Sequence, residues 1–139
     1  MNYELELNRL GLTIQQPWAE LILRGVKTLE VRSVSTPPKS VYLYTSRKLS
    51  SLPDALRACE QYEVEIETLP CGMVVGKVDI TSSRPATADD LTATCLTDPD
   101  LLADHYVWEL TNPERLKSPV PATYKPFGMW FYPFQRKGD

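Results

Sequence analysis

The chemistry in this sequence is densest where a glycine is followed by a lysine, a glutamate and an arginine at offsets of two, five and seven. These are Gly25, Lys27, Glu30 and Arg32, within the octapeptide GVKTLEVR. Arginine offers a planar fork that matches phosphate or carboxylate, and lysine a mobile point charge. Glu30 beside Arg32 can hold that fork in place, or accept hydrogen bonds from a base edge or an amide. The plainer alternative is a surface ion pair worth about 0–1 kcal/mol. Spacing alone favours that plainer reading. Lys27 adds a condition of its own. It has the opposite strand parity to Glu30 and Arg32, so it joins them only from the turn after Gly25.

Other candidates for chemistry are thin. His105, the single histidine, lies beside Asp104, and no serine or cysteine sits in a nucleophile elbow such as GxSxG. Asp89, Asp90, Asp98, Asp100 and Asp104 read as helix caps or first-turn residues favoured by the helix dipole. No metal site is expected from them, because nothing fixes a coordination geometry. Tyr106, Trp108, Trp130 and Tyr132 have faces on which bases can stack. Their commoner use is core for the tryptophans and rim for the tyrosines.

The elements that must position these residues follow from periodicity. Leu10, Leu12 and Ile14 alternate as a short strand. Gln16-Pro17 reads as Ncap and N1, because proline's missing amide proton costs nothing there. Trp18, Leu21 and Ile22 recur at i, i+3 and i+4, so one helical face is apolar. Gly25 stops that helix, and Thr28–Arg32 reads as a strand with Leu29 and Val31 inward. VYLYT (residues 41–45) is a β-branched and aromatic strand. It ends in Ser46, Arg47 and Lys48, two cations just past a strand end.

Residues 51–62 read as a helix with Pro53 in its first turn and Leu52, Leu56 and Cys59 inward. GMVVGKVDIT (72–81) is a strand with Val74, Val78 and Ile80 on one face. Gly76 in their gap marks a bulge or a close approach of another backbone. Residues 82–103 read as loop and short helices, with candidates at 87–91 and 99–103. YVWEL (106–110) and GMWF (128–131) read as strands. Pro113, Pro119 and Pro121 predict an irregular stretch over 112–125, and residues 1–8 fray or add an edge strand. Five or six short strands, with a helix between the first two, predict an α+β fold: a small, partly closed mixed β-barrel with two to three short helices.

Composition sets the outer bounds. A length of 139 residues predicts a single domain able to bury a core without staples. Hydrophobic content of 42% and charged content of 24% fit a globular chain, and no apolar run approaches a membrane span. The first ten residues carry two glutamates and no apolar run of signal-peptide type, so the expected location is the cytoplasm. Three widely spaced cysteines, Cys59, Cys71 and Cys95, suit reduced thiols there. The net charge of −3 does not announce a nucleic-acid binder. Its distribution is uneven, however. Residues 1–50 hold seven basic and four acidic side chains, and the remainder eight and fourteen.

Taken together, these residues resemble the ASCH domain (activating signal cointegrator homology), a family of the PUA-like β-barrel superfamily with the signature GxKxxExR. The match begins with Leu12–Ser33, including Gln16-Pro17-Trp18-Ala19 and the octapeptide. It continues through Val41–Lys48, similar to a core strand ending in small and basic residues, and through Gly72–Ile80, similar to a GxxVGxV strand. Tyr106–Leu116, Pro119-Val120-Pro121 and Gly128-Met129-Trp130 are similar to a closing WxL…PxP…GxW segment. Four matches in order cover nearly the whole chain.

The resemblance implies a cleft between the first helix and the motif strand, lined by Lys27, Glu30 and Arg32, that binds RNA or another nucleic acid or nucleotide. It makes Arg47 and Lys48 a phosphate-binding rim and Gln16 a base contact, with Trp18 and Ser46 completing the expected nucleic-acid-contacting set. No cofactor is implied. A second implication is enzymatic. Some relatives are small amidohydrolases that deacylate N4-acylcytidine nucleosides with a lysine, a threonine and a glutamate. Here Lys27 is kept, Glu30 stands at the threonine position, and the later glutamate has no counterpart between Thr87 and Ala103. Lys27 and Glu30 are thus the only catalytic candidates, and the expectation leans away from an enzyme. A nuclease lacks a general base here, and a protein-interaction module stays open.

Overall fold

The computed structural model describes residues 5–135. Six strands form one mixed, curled sheet, a half-barrel, in the order β2-β5-β4-β3-β1-β6. They are β1 (Gly11–Ile14), β2 (Leu29–Arg32), β3 (Lys39–Thr45), β4 (Met73–Pro85), β5 (Tyr106–Pro121) and β6 (Trp130–Phe131). The three α-helices are α1 (Trp18–Leu23), α2 (Pro53–Gln61) and α3 (Leu91–Thr94). This is the α+β architecture that the strand and helix pattern predicts. Among the described residues no helix is long and apolar enough to cross a membrane.

Only β1 and β3 run parallel; every other neighbouring pair is antiparallel. Ile14 lies opposite Thr45, and the Ser46 amide donates to the Ile14 carbonyl at 2.8 Å. The two strands therefore end side by side, and the chain leaves both at the same edge. Alternation along β3 divides the apolar residues between two faces. Val41 and Leu43 join the main core with Leu12, Trp18, Leu21, Ile22 and Trp108. Tyr42 and Tyr44 face a smaller cluster with Leu116, Phe131 and Phe134.

Helix α1 buries Trp18, Leu21 and Ile22, as their spacing predicts. Its start falls one residue later than expected. Pro17 is the Ncap, after a cis Gln16-Pro17 bond, and the Gln16 amide oxygen still accepts from the Glu20 amide at 3.0 Å. Its end is a Schellman turn, which needs a left-handed residue. Gly25 supplies φ +77°, its amide donates to Ile22, and the Val26 amide donates to Leu21.

Four sequence expectations need correction. Leu56 is 68% exposed; Ala55, Ala58 and Cys59 face inward, so the apolar side of α2 lies off the leucine. Val74 packs in the smaller cluster, because a register shift between Val74 and Gly76 puts Val75 rather than Val74 on the side of Val78 and Ile80. Residues 82–85 extend β4 instead of looping. Residues 112–121 continue β5, so that only 122–125 of the stretch expected to be irregular are so. Proline is tolerated there because β2 pairs only with residues 106–109, which leaves one side of β5 free beyond them. Asn112 and Pro113 share a bulge opposite the single residue Val78, with Asn112 at φ +53°.

The N-terminal edge strand expected over residues 1–8 lies partly outside the described residues, and 5–8 are coil and turn. Gly76 does mark a close approach. A Cβ there would stand 2.5 Å from Leu23 Cδ2 and 2.6 Å from the Glu114 carbonyl, so α1 seats on the sheet where a side chain is missing.

Candidate functional site

Lys27 satisfies the condition set by its parity. It precedes β2, and its amide donates to the Leu21 carbonyl at 3.1 Å, which pins it in the turn after Gly25. From there its side chain is almost wholly buried, at 3% exposure. Nζ donates to the Thr94 carbonyl at 2.7 Å, lies 3.5 Å from Glu30 Oε1 and sits 5.2 Å from the Trp18 ring centroid. A buried ammonium needs such partners, because the desolvation cost otherwise dominates. Burial pushes the Lys27 pKa down, and the adjacent Glu30 charge opposes that shift.

Glu30 is buried between two cations. Arg32 donates to its Oε2 from Nε at 3.1 Å and from Nη2 at 2.8 Å. Burial alone would raise the carboxyl pKa, but the Arg32 and Lys27 charges and the Arg32 hydrogen bond outweigh it and hold it below the ordinary value. Arg32 Nη2 also donates to the Thr13 carbonyl at 3.0 Å. Its guanidinium lies 5.7 Å from the Trp108 ring centroid, and Trp108 stacks on Trp130 at 5.5 Å and 6°. The cross-strand pairing of Glu30 with Trp108 brings this aromatic support to the motif. Among the described residues Arg32 Nη1 has no acceptor.

These groups open onto a cleft of about 390 Å³ lined by Trp18, Lys27, Glu30 and Arg32, with Thr13, Gln15, Ser46 and Ser50 on its polar rim. Two cations face one carboxylate, so the floor suits an anionic or hydrogen-bond-rich ligand. A second, adjoining groove of about 600 Å³ shares Thr13 and Ser46 and contains Arg47.

The sequence-predicted residues fall into three groups. Trp18, Lys27, Glu30, Arg32 and Ser46 meet in the first cleft. Arg47 lines the adjoining groove, while Lys48 is exposed and lines neither. Gln16 is fully buried and lines neither, because its amide is spent on the Glu20 amide and on the Pro70 carbonyl at 3.1 Å. It braces the helix start instead. Gln15 takes the cleft position, and the alternation of Leu12 and Ile14 inward with Thr13 and Gln15 outward was the available signal. The Thr94 carbonyl that holds Lys27 is backbone and carries no such signal.

The other sequence candidates have structural roles. Asp90 completes a capping box with Thr87 and binds Arg84, and Asp98 caps the turn at 99–101. The His105 ring contacts the Ala103 carbonyl at 2.7 Å. Among the described residues no His, Cys, Asp and Glu cluster could hold a metal.

Comparisons with known proteins agree with this architecture. The profile of the ASCH domain family matches residues 12–120. The crystal structure of ASCH from Zymomonas mobilis is similar, with a TM-score of 0.61 at 12% identity, over 91% of this chain and 88% of that one. A single-residue variant of the same protein aligns with a TM-score of 0.58 at 13% identity, over 91% and 88%. At such identity the likeness speaks for the fold. No curated protein matches the chain in sequence.

Proposed function

The chain belongs to the ASCH domain family, and from that premise we propose that the Lys27–Glu30–Arg32 cleft binds nucleic acid, with RNA as the natural ligand. The observation that carries the reading is the buried carboxylate clamped between two cations at the floor of an open cleft. Glu30 fixes the arginine fork, and the fork's free Nη1 edge offers two donors to a phosphate oxygen or a base acceptor. Trp18 walls the cleft beside Lys27. A base entering a cleft this narrow must be unpaired, which favours single-stranded segments and loops.

The test is fluorescence anisotropy with short single-stranded RNA and DNA at low and moderate salt, using wild type, Arg32→Ala and Lys27→Met. The expected result is salt-dependent binding, tighter for RNA, that Arg32→Ala weakens at least tenfold with the fold intact by circular dichroism. Binding left unchanged by Arg32→Ala would remove the nucleic-acid site from this cleft.

A second reading, hydrolysis of N4-acylated cytidines, draws on the lowered Lys27 pKa, a property of lysines that act as bases. Against it, Glu30 is bound by Arg32, and Thr28 is exposed and lines neither cleft. Release of acetate from N4-acetylcytidine that Lys27→Met abolishes would support it; no turnover at high enzyme concentration would end it.

A further inference from the structure

Of the seven arginines among the described residues, six have a carboxylate partner. Arg9 pairs with Glu6, Arg24 and Arg115 with Glu20, Arg32 with Glu30, Arg57 with Asp54 and Arg84 with Asp90. Arg47 alone has none. A protein with more carboxylates than cations has had ample opportunity to neutralise it. Its side chain nevertheless has a defined place. It lies along Gly72, where an added Cβ would stand 3.3 Å from Arg47 Cγ and 3.5 Å from Cζ.

Arg47 shares its groove with Lys125, which is also without an ion pair among the described residues. The loop carrying Lys125 is tied down, because the Thr123 and Tyr124 amides both donate to the Pro133 carbonyl, at 2.8 and 3.1 Å. This groove adjoins the Lys27–Glu30–Arg32 cleft. Thr13 and Ser46 line both, and Arg32 is hydrogen-bonded to the Thr13 carbonyl at that shared rim. Positive charge thus runs from Lys27 and Arg32 across the rim to Arg47 and Lys125.

We propose that the Arg47–Lys125 groove is a phosphodiester subsite, so that the ligand is a strand of nucleic acid whose unpaired nucleotide enters the first cleft and whose adjacent phosphates cross Ser46 into the second. This rests on the nucleic-acid reading of the first cleft and adds to it that a free nucleotide fills only half of the site. Phosphate contacts place a strand without reading its sequence. Base selection therefore belongs to the first cleft, and affinity gained with length to the second.

The experiment compares two probes on wild type and on Arg47→Ala/Lys125→Ala, a pair of exposed positions. One probe is an equimolar mixture of the four ribonucleosides, which carry no phosphate, followed by ligand-observed NMR. The other is a labelled mixed-sequence RNA octamer, followed by anisotropy between 50 and 200 mM salt. The expected outcome is unchanged nucleoside binding in the double variant and weaker octamer binding. The slope of log affinity against log salt should flatten by about 1.4, from about 0.7 per lost phosphate contact on a single strand. Across that fourfold salt range, such a change in slope is about sevenfold in affinity. An octamer that binds no more tightly than the nucleosides, or a slope unaffected by the double variant, overturns the second subsite while leaving the first cleft as a nucleoside site. Failure of wild type to bind either probe overturns both.

Discussion

Glu30→Gln separates the charge of Glu30 from its shape. The amide can still accept from Arg32, but Lys27 is left buried beside a neutral group. Removing one partner of a buried ion pair costs about 3–5 kcal/mol. Arg32 keeps the Thr13 carbonyl and its place over Trp108, so the lower end of that range applies to it. Lys27 has an escape: it can fold without its proton. Releasing a proton from an amine of ordinary pKa 10.5 at pH 7 costs about 5 kcal/mol, which caps its share.

The escape carries a sign. In the variant the unfolded chain holds a proton on Lys27 that the folded chain does not, so stability rises with pH. The limiting slope is about 1.4 kcal/mol per pH unit between neutrality and 10.5. Urea unfolding followed by tryptophan fluorescence at pH 7, 8 and 9 should show Glu30→Gln destabilised by about 3 kcal/mol at pH 7. The deficit should shrink by 1 kcal/mol or more at pH 9. Adding Lys27→Met should remove the pH dependence and recover part of the loss. A deficit that is constant across that range, or that persists unchanged in the double variant, would refute the claim that Glu30 exists to hold a buried ammonium.

Three further outcomes test the fold around the site. Asp90, held down at about pKa 2 by Arg84 with help from the Thr87 groups, contributes stability above its ordinary 3.8 that is lost as pH falls toward 2. With Arg84 half exposed that contribution is discounted to about 1 kcal/mol, so Asp90→Asn should lower stability by that amount at pH 6 and by nothing near pH 2 in acid titrations. Gly76→Ala should cost about 2 kcal/mol or more in urea unfolding, because the new methyl meets a backbone carbonyl as well as Leu23. Leu56→Gln should change stability by less than about 0.5 kcal/mol, while Ala58→Leu, on the opposite face of α2 and fully buried, should cost about 1–3 kcal/mol.

How much of this the chain disclosed in advance depended on how local the determinant was. The helix Trp18–Leu23 and its glycine stop are set by residues within a few positions of one another, and both were legible. So was the condition on Lys27, since strand parity is a local rule. Gln16 was misread because its fate is decided by the Pro70 carbonyl, far along the chain. The prolines of β5 misled because whether a missing N–H matters depends on which side of the strand has a partner. Leu56 was assigned inward on hydrophobicity, although the small residues Ala55 and Ala58 are the ones that let α2 approach the core. The joining of the two grooves at Thr13 and Ser46 could not be foreseen, since it follows from the parallel register that sets Ile14 beside Thr45. Nor does composition show that, among the described residues, Arg47 is the arginine left over once the carboxylates have been shared out.

The site is stitched together across the whole described length. Lys27 is tethered to Thr94, 67 positions away, Glu30 lies against Trp108, and Thr13 meets Gly128, 115 positions away. During synthesis, then, the signature octapeptide leaves the ribosome long before anything it can work with exists. Contacts of such separation also place the chain among the slower folders. A product cut short ahead of Trp130 would keep every residue of the signature and lack the ring on which Trp108 stacks. Possession of the motif and possession of the finished cleft are therefore separate events in the life of this protein, the first complete at Arg32 and the second waiting on Thr94, Trp108 and the ring that supports it.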